Sequence, residues 1–93
     1  MKKVILSGSI QVPEAELEAI RDALTEHVAL TLNEEGCLLF EVKEKENPVG
    51  TFTVYEEFNS KEAFEFHQKR VKESKWGAIT TNVTRNYQIE GME

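Results

Sequence analysis

Ninety-three residues make one domain, expected to run over residues 1–93. Seventeen acids against 11 bases leave a net charge of -6, which disfavours nucleic acid and anionic membranes as partners, because both favour a basic surface. At 40% hydrophobic and 30% charged residues, the composition is that of a soluble globular protein whose small core would gain from burying a further face in an oligomer.

Val4, Leu6, Gly8, Ile10 and Val12 alternate with Lys3, Ile5, Ser7, Ser9 and Gln11, which predicts a first strand. The apolar run after Lys2 and Lys3 stops at Ser7-Gly8-Ser9, too short for a signal peptide. Pro13 ends the strand and opens a helix, with Glu14, Glu16 and Glu18 near its positive end. Leu17, Ile20, Leu24, Val28 and Thr31 carry the helical spacing, and Gly36 suits the turn that stops it. A second strand spans Cys37 to Lys43, with Leu38, Phe40 and Val42 on one side and Leu39 and Glu41 on the other. The polar stretch from Glu44 to Gly50 is a hairpin turn, and Thr51 to Phe58 a third strand. Asn59 with Glu62, or else Ser60, caps a second helix bearing Ala63, Phe64, His67 and Val71 on one stripe. Lys72-Glu73-Ser74-Lys75 frays into a turn, Trp76-Gly77-Ala78-Ile79 forms a short irregular helix, and Val83, Arg85, Tyr87 and Ile89 mark a fourth strand. The order β-α-β-β-α-β is the α+β, ferredoxin-like pattern with an antiparallel four-stranded sheet. Two helices cover one face of such a sheet. Ile5, Leu39 and Tyr55 alternate onto the other face, a composition suited to a sheet-to-sheet homodimer.

The third strand holds the most informative residue. Its inward face reads Phe52, Val54, Glu56, Phe58: an acid where the alternation calls for a core side chain. A buried carboxylate must find a partner or keep its proton. His67 lies on the inner stripe of the second helix, where an imidazole is either a hydrogen-bonded core residue or a proton acceptor. His27 sits nearer the edge of its helix's stripe and reads as structural. Arg85 either pairs with Glu56 across the sheet or binds an anionic substrate. Phe52, Phe58, Phe64 and Trp76 read as core; around a cavity they would form a flat apolar slot for an aromatic ligand. Cys37, the only cysteine, cannot form an intrachain disulfide, which fits a reducing, cytoplasmic setting. The chain has no Cys/His cluster with metal-ligand spacing and no phosphate-cradling glycine loop.

Over nearly its whole length the chain resembles the antibiotic biosynthesis monooxygenase family of dimeric α/β-barrel proteins. The resemblance is carried by His27-Val28 with Thr31, by Glu35-Gly36-Cys37-Leu38 and Phe40-Glu41-Val42, by Phe52-Thr53-Val54-Tyr55-Glu56-Glu57-Phe58, and by Ala63-Phe64-Glu65-Phe66-His67 with Trp76 beyond. It implies a homodimer whose two sheets pack face to face into a barrel, each subunit keeping its own pocket between helices and sheet. It also implies oxidation of quinols or polyketide anthrones by molecular oxygen without metal, flavin or haem, the deprotonated substrate itself supplying electrons. Glu56 and His67 match the family's pocket acid and helix histidine; His67 is then the base and Glu56 its orienter or a proton relay. Lys72 and Glu73 stand where many members carry His-Phe, which weighs against a mechanism with two histidines on the second helix. Ser7 and Ser9 on the first strand, and a tryptophan that follows His67, weigh against haem degradation.

Three functions are thus expected in order. The first is a cofactor-free monooxygenase acting on a small hydroxylated aromatic or quinol. The second is a small-ketone isomerase or tautomerase on the same scaffold, using the same acid and imidazole. The third is a non-catalytic, small-molecule-binding dimer in which Glu56 pairs with Arg85.

Overall fold

Period-two burial builds the sheet. The computed structural model describes residues 2–92. Strand β1 (Val4–Gln11) buries Val4, Leu6 and Ile10 and turns Ile5, Ser7 and Ser9 to the opposite face. Strand β3 (Thr51–Phe58) does the same with Phe52, Val54, Glu56 and Phe58, all buried. Strands β2 (Cys37–Glu44) and β4 (Thr84–Glu90) complete one antiparallel sheet in the order β2-β3-β1-β4. With helices between β1 and β2 and between β3 and β4, this is the ferredoxin-like β-α-β-β-α-β arrangement.

One strand departs from simple alternation. Cys37 pairs with Phe58 and Leu39 with Glu57, so the register slips at Leu38. The extra residue is a β-bulge. It turns Leu38 out to 51% exposure and brings Cys37 to the core, while Phe40 and Val42 keep the inward positions that alternation assigns them. The expected grouping of Leu38 with Phe40 and Val42 is corrected accordingly.

Pro13 caps a single 3-10 turn (Glu14–Glu16), and helix α1 follows at Leu17–Leu32. Its buried side comprises Leu17, Ile20, His27 and Thr31, so His27 lies on the inner stripe and not at its edge. Ser60, rather than the Asn59 side chain, caps α2 (Lys61–Glu73) by accepting from the Ala63 amide at 3.1 Å. Phe64 and His67 are the buried residues of α2. The chain breaks at Ser74, whose hydroxyl caps a five-residue helix, α3 (Lys75–Ile79).

Leu17, Ile20 and Phe64 of the helices meet Val4, Leu6, Phe52, Val54 and Phe58 of the strands in one core. Phe58 and Phe64 pack edge to face, with centroids 5.5 Å apart. Gly36 matters here by its size. A Cβ at this position would lie 2.3 Å from the Ala63 Cβ, so only glycine lets the chain after α1 press against the start of α2. That close approach carries the residues just before it, Glu34 among them, toward His67. No helix among the described residues is long and apolar enough to cross a membrane.

Candidate functional site

The register sets Phe40, Glu56, Leu6 and Ile89 side by side across the helix-covered face of the sheet. Glu56 therefore projects from the second strand of the sheet into the space beneath α2. His67 comes down from α2 to meet it, with its Nε2 3.7 Å from Glu56 Oε1. That separation is too long for a hydrogen bond. The other ring nitrogen is firmly held: His67 Nδ1 lies 3.0 and 3.2 Å from the two oxygens of Glu34. The Glu34 side chain is 5% exposed and also accepts from Arg70 Nε at 2.6 Å. Arg70 Nη2 donates to Thr31 Oγ1 at 3.0 Å, and that hydroxyl donates to the His27 carbonyl at 2.9 Å. A continuous polar array thus ties α1, the turn after it, and α2 around one imidazole.

Burial decides the protonation of its members. The Glu56 carboxyl is pushed up to about 8, first by desolvation and then by the charge of Glu34. It carries its proton at neutral pH. Desolvation lowers His67, against an opposing pull from Glu34. His27 falls to about 3, again chiefly through desolvation, with His67 and Arg70 adding to the effect. Both imidazoles are neutral at pH 7. A neutral His67 beside Glu34 donates from Nδ1, because a carboxylate can only accept. Its Nε2 then presents a bare lone pair on the side of Glu56. The arrangement is a base with a fixed tautomer, facing a protonated acid, in a dry setting.

Two spaces border His27, and His67 lines neither of them. A cavity of about 30 Å³ lies against Glu56, His27, Phe40, Trp76, Arg85 and Tyr87. A groove of about 330 Å³ runs along α1 and α3, past Ala23, His27, Leu30, Arg70 and Trp76. Trp76 stacks on His27 with centroids 4.4 Å apart and planes 4° from parallel. His27 and Trp76 border both spaces and form the partition between them.

The residues singled out in the sequence do not all gather here. His67 and Glu56 converge, and Trp76 stands at the edge of the small cavity. Arg85 borders that cavity as well, but its guanidinium donates to Thr80 Oγ1 at 2.9 Å and to the carbonyls of Thr80 and Val83 at 3.3 Å. The alternative of a Glu56–Arg85 ion pair is not realised; the titratable side chain facing Glu56 is His67, at 3.7 Å. Phe52, Phe58 and Phe64 are packed solid in the core and border neither space, so an apolar slot made of those rings is not formed. Among the described residues, no group of three or more His, Cys, Asp or Glu side chains has an arrangement suited to a metal ion.

Three contributors had weak signals in the sequence. Arg70 follows His67 by one helical turn, which places both on one side of α2. Glu34 sits in a polar turn that packs against the start of α2 where Gly36 meets Ala63. His27 has the spacing of the inner stripe, and its contact with Trp76 is purely tertiary.

Comparison with known proteins agrees with this architecture. No curated protein matches the chain. Among solved structures, a Deinococcus radiodurans protein provisionally described as an antibiotic biosynthesis monooxygenase superposes with a TM-score of 0.78 at 24% identity, over 92% of this chain and 88% of that one. A Nitrosomonas europaea protein with the same provisional description gives 0.80 at 17% identity, over 96% and 88%. A Bacteroides thetaiotaomicron protein of unknown function, provisionally described as an oxidoreductase, gives 0.76 at 22% identity, over 96% and 94%. At these identities the likeness is one of fold. The profile of the antibiotic biosynthesis monooxygenase family matches residues 3–76, and on that match the chain belongs to this family.

Proposed function

We propose that the chain is a cofactor-free monooxygenase that oxidises a small hydroxylated aromatic or quinol with molecular oxygen. The observation that carries this reading is the neutral imidazole of His67, held at Nδ1 by Glu34 and turned with its bare Nε2 toward the buried acid Glu56. In this reading Nε2 takes the proton of the substrate hydroxyl. The resulting anion gives its electrons to oxygen; one oxygen atom enters the product, the other leaves as water with the two protons the substrate has lost, and Glu56 relays one of those protons. The protein contributes the base, its orientation and the exclusion of water. A quinol is larger than the cavity of about 30 Å³ beside Glu56, so turnover requires one wall of that cavity to move.

The same reading takes the chain as a cytoplasmic homodimer of a single domain over residues 1–93, paired through the outer face of the sheet. Leu39 on that face is 36% exposed, and Ile5 and Tyr55 beside it are partly so. Sedimentation of the wild type against Leu39→Lys tests the pairing: a monomer in both would remove it.

A second reading is supported by the pairing of a neutral base with a protonated acid, which equally serves isomerisation of a small ketone without oxygen. A third, a non-catalytic binding dimer, is supported by the small size of the cavity. Oxygen uptake with a panel of hydroquinones, in the wild type and in His67→Ala, separates them. The proposal expects uptake that depends on His67. Turnover that persists without oxygen would select the isomerase, and binding without turnover would select the third reading.

A further inference from the structure

The helix side of the molecule carries a groove that the fold itself does not fill. One stretch, of about 330 Å³, runs between α1 and α3. A second, of about 610 Å³, lies between the end of α1 and the start of α2. Leu30 and Arg70 border both stretches, which therefore meet end to end. Together they follow α1 from Ala19 to Asn33, a length of about 21 Å at ~1.5 Å per residue. Ala19, Ala23 and Ala63 line the groove, and their short side chains leave it open.

Large apolar groups face solvent where the stretches meet. Leu30 is 46% and Phe66 61% exposed. Single exposed apolar side chains are common, but these two border one groove from different helices. The charge around them has one sign. Asp22 and Glu26 line the first stretch and Glu35 and Glu62 the second, all four exposed. None of these carboxylates forms an ion pair among the described residues. Of the basic side chains lining the groove, Arg70 is held by Glu34, which leaves Lys75 against four acids. A second copy of the chain, with a net charge of -6, would bring like charge to this face. The groove lies on the helix-covered side of the sheet, so pairing through Ile5, Leu39 and Tyr55 leaves it free.

We infer that this groove docks a basic, amphipathic helix of another protein. A helix of roughly 14 residues matches its length. Apolar side chains on one face of that helix pack on Leu30 and Phe66. Lys or Arg side chains toward its two ends meet Asp22 and Glu26 at one end of the groove, Glu35 and Glu62 at the other. Arg70, at the middle of the groove, also donates to Glu34, which holds His67. The docked helix therefore sits against the polar array that fixes the imidazole.

The full chain is titrated against a labelled synthetic helix of about 14 residues, with leucine on one face, lysine at both ends and no tryptophan, followed by fluorescence anisotropy. One control peptide has the same composition with its leucines dispersed around the helix. The other carries glutamate in place of lysine. The first peptide should bind saturably, and each control at least about tenfold more weakly. Trp76, the only tryptophan of the chain, lines the groove, and its emission should shift in parallel with binding. Phe66→Ser should weaken binding about tenfold, and Glu35→Gln combined with Glu62→Gln roughly fivefold. The proposal is overturned if the first peptide does not bind, if the dispersed control binds as well, or if Trp76 emission stays unchanged at saturation. Variants that bind like the wild type overturn it too. It is also overturned if Phe66→Ser, without peptide, lowers the sedimenting mass of the protein, because the groove is then covered by a second copy. Should Phe66→Ser not fold, the three peptides on the wild type still decide.

Discussion

Replacing Glu56 with glutamine should abolish the loss of stability that the wild type undergoes between pH 6.5 and about 8. The carboxyl is held up to about 8 from 4.5 by burial, so the fold keeps a proton that the unfolded chain has already lost. Its contribution to stability is fully present below pH 4.5 and is lost as pH rises toward 8. The histidines act in the opposite sense. His27 falls to about 3 from 6.5 and His67 is also lowered, so the unfolded chain takes up protons that the fold refuses, and stability is lost as pH falls below 6.5. Between 6.5 and about 8, Glu56 dominates the balance, while the unfolded histidines, half protonated at 6.5, shed their remaining protons and offset part of it. At ~1.4 kcal/mol per unit the net loss across that window is about 1 kcal/mol. For a domain of this size the loss corresponds to roughly 5 °C in Tm. Urea unfolding followed by circular dichroism, at several pH values and one fixed protein concentration, measures it. The wild type should weaken as pH rises, and Glu56→Gln should instead rise slightly as the unfolded histidines finish losing their protons. A level wild type, or a variant that falls in parallel with it, would refute the argument that Glu56 is a desolvated, protonated acid.

The remaining expectations concern the groups around it. His27→Phe removes the more strongly depressed histidine, so acid unfolding followed by circular dichroism should move to lower pH; an unchanged midpoint would show that His27 is not desolvated as described. Glu34→Gln takes the carboxylate from both the His67 Nδ1–H and Arg70, and should cost about 2–3 kcal/mol in urea unfolding at pH 7, whereas a loss below about 1 kcal/mol would mean that the array does little to hold α2 to α1. Ser60→Ala removes the α2 cap and should cost about 1 kcal/mol by the same assay, while Asn59→Ala, which the alternative cap assignment would make the costly change, should leave the cap intact.

The fold was legible because local signals and tertiary packing agree. Alternation at Val4, Leu6 and Ile10, the helical stripe at Leu17 and Ile20, and the break at Ser74 each point to the element that forms. The bulge at Leu38 was not legible, since an extra residue in a strand leaves no mark in a run of Cys-Leu-Leu-Phe whose members are all apolar. In the site, Glu56 and His67 could be found because each breaks an apolar pattern at a position the pattern itself defines. Glu34 could not, because it lies in a turn with no periodicity and depends on the fit of Gly36 against Ala63. The fate of Phe52, Phe58 and Phe64 was equally hidden. Alternation says that a ring faces inward, but whether it meets another ring or a cavity depends on side-chain packing across elements.

The neutral His67 imidazole with its proton on Nδ1 underlies every catalytic statement above. Long-range proton–nitrogen correlation of the histidine rings at pH 7, with His67 assigned by comparison with His67→Gln, observes that state directly. The geometry predicts a protonated Nδ1 and a bare Nε2. An imidazolium protonated at both nitrogens, or a proton on Nε2 with Nδ1 bare, would contradict it.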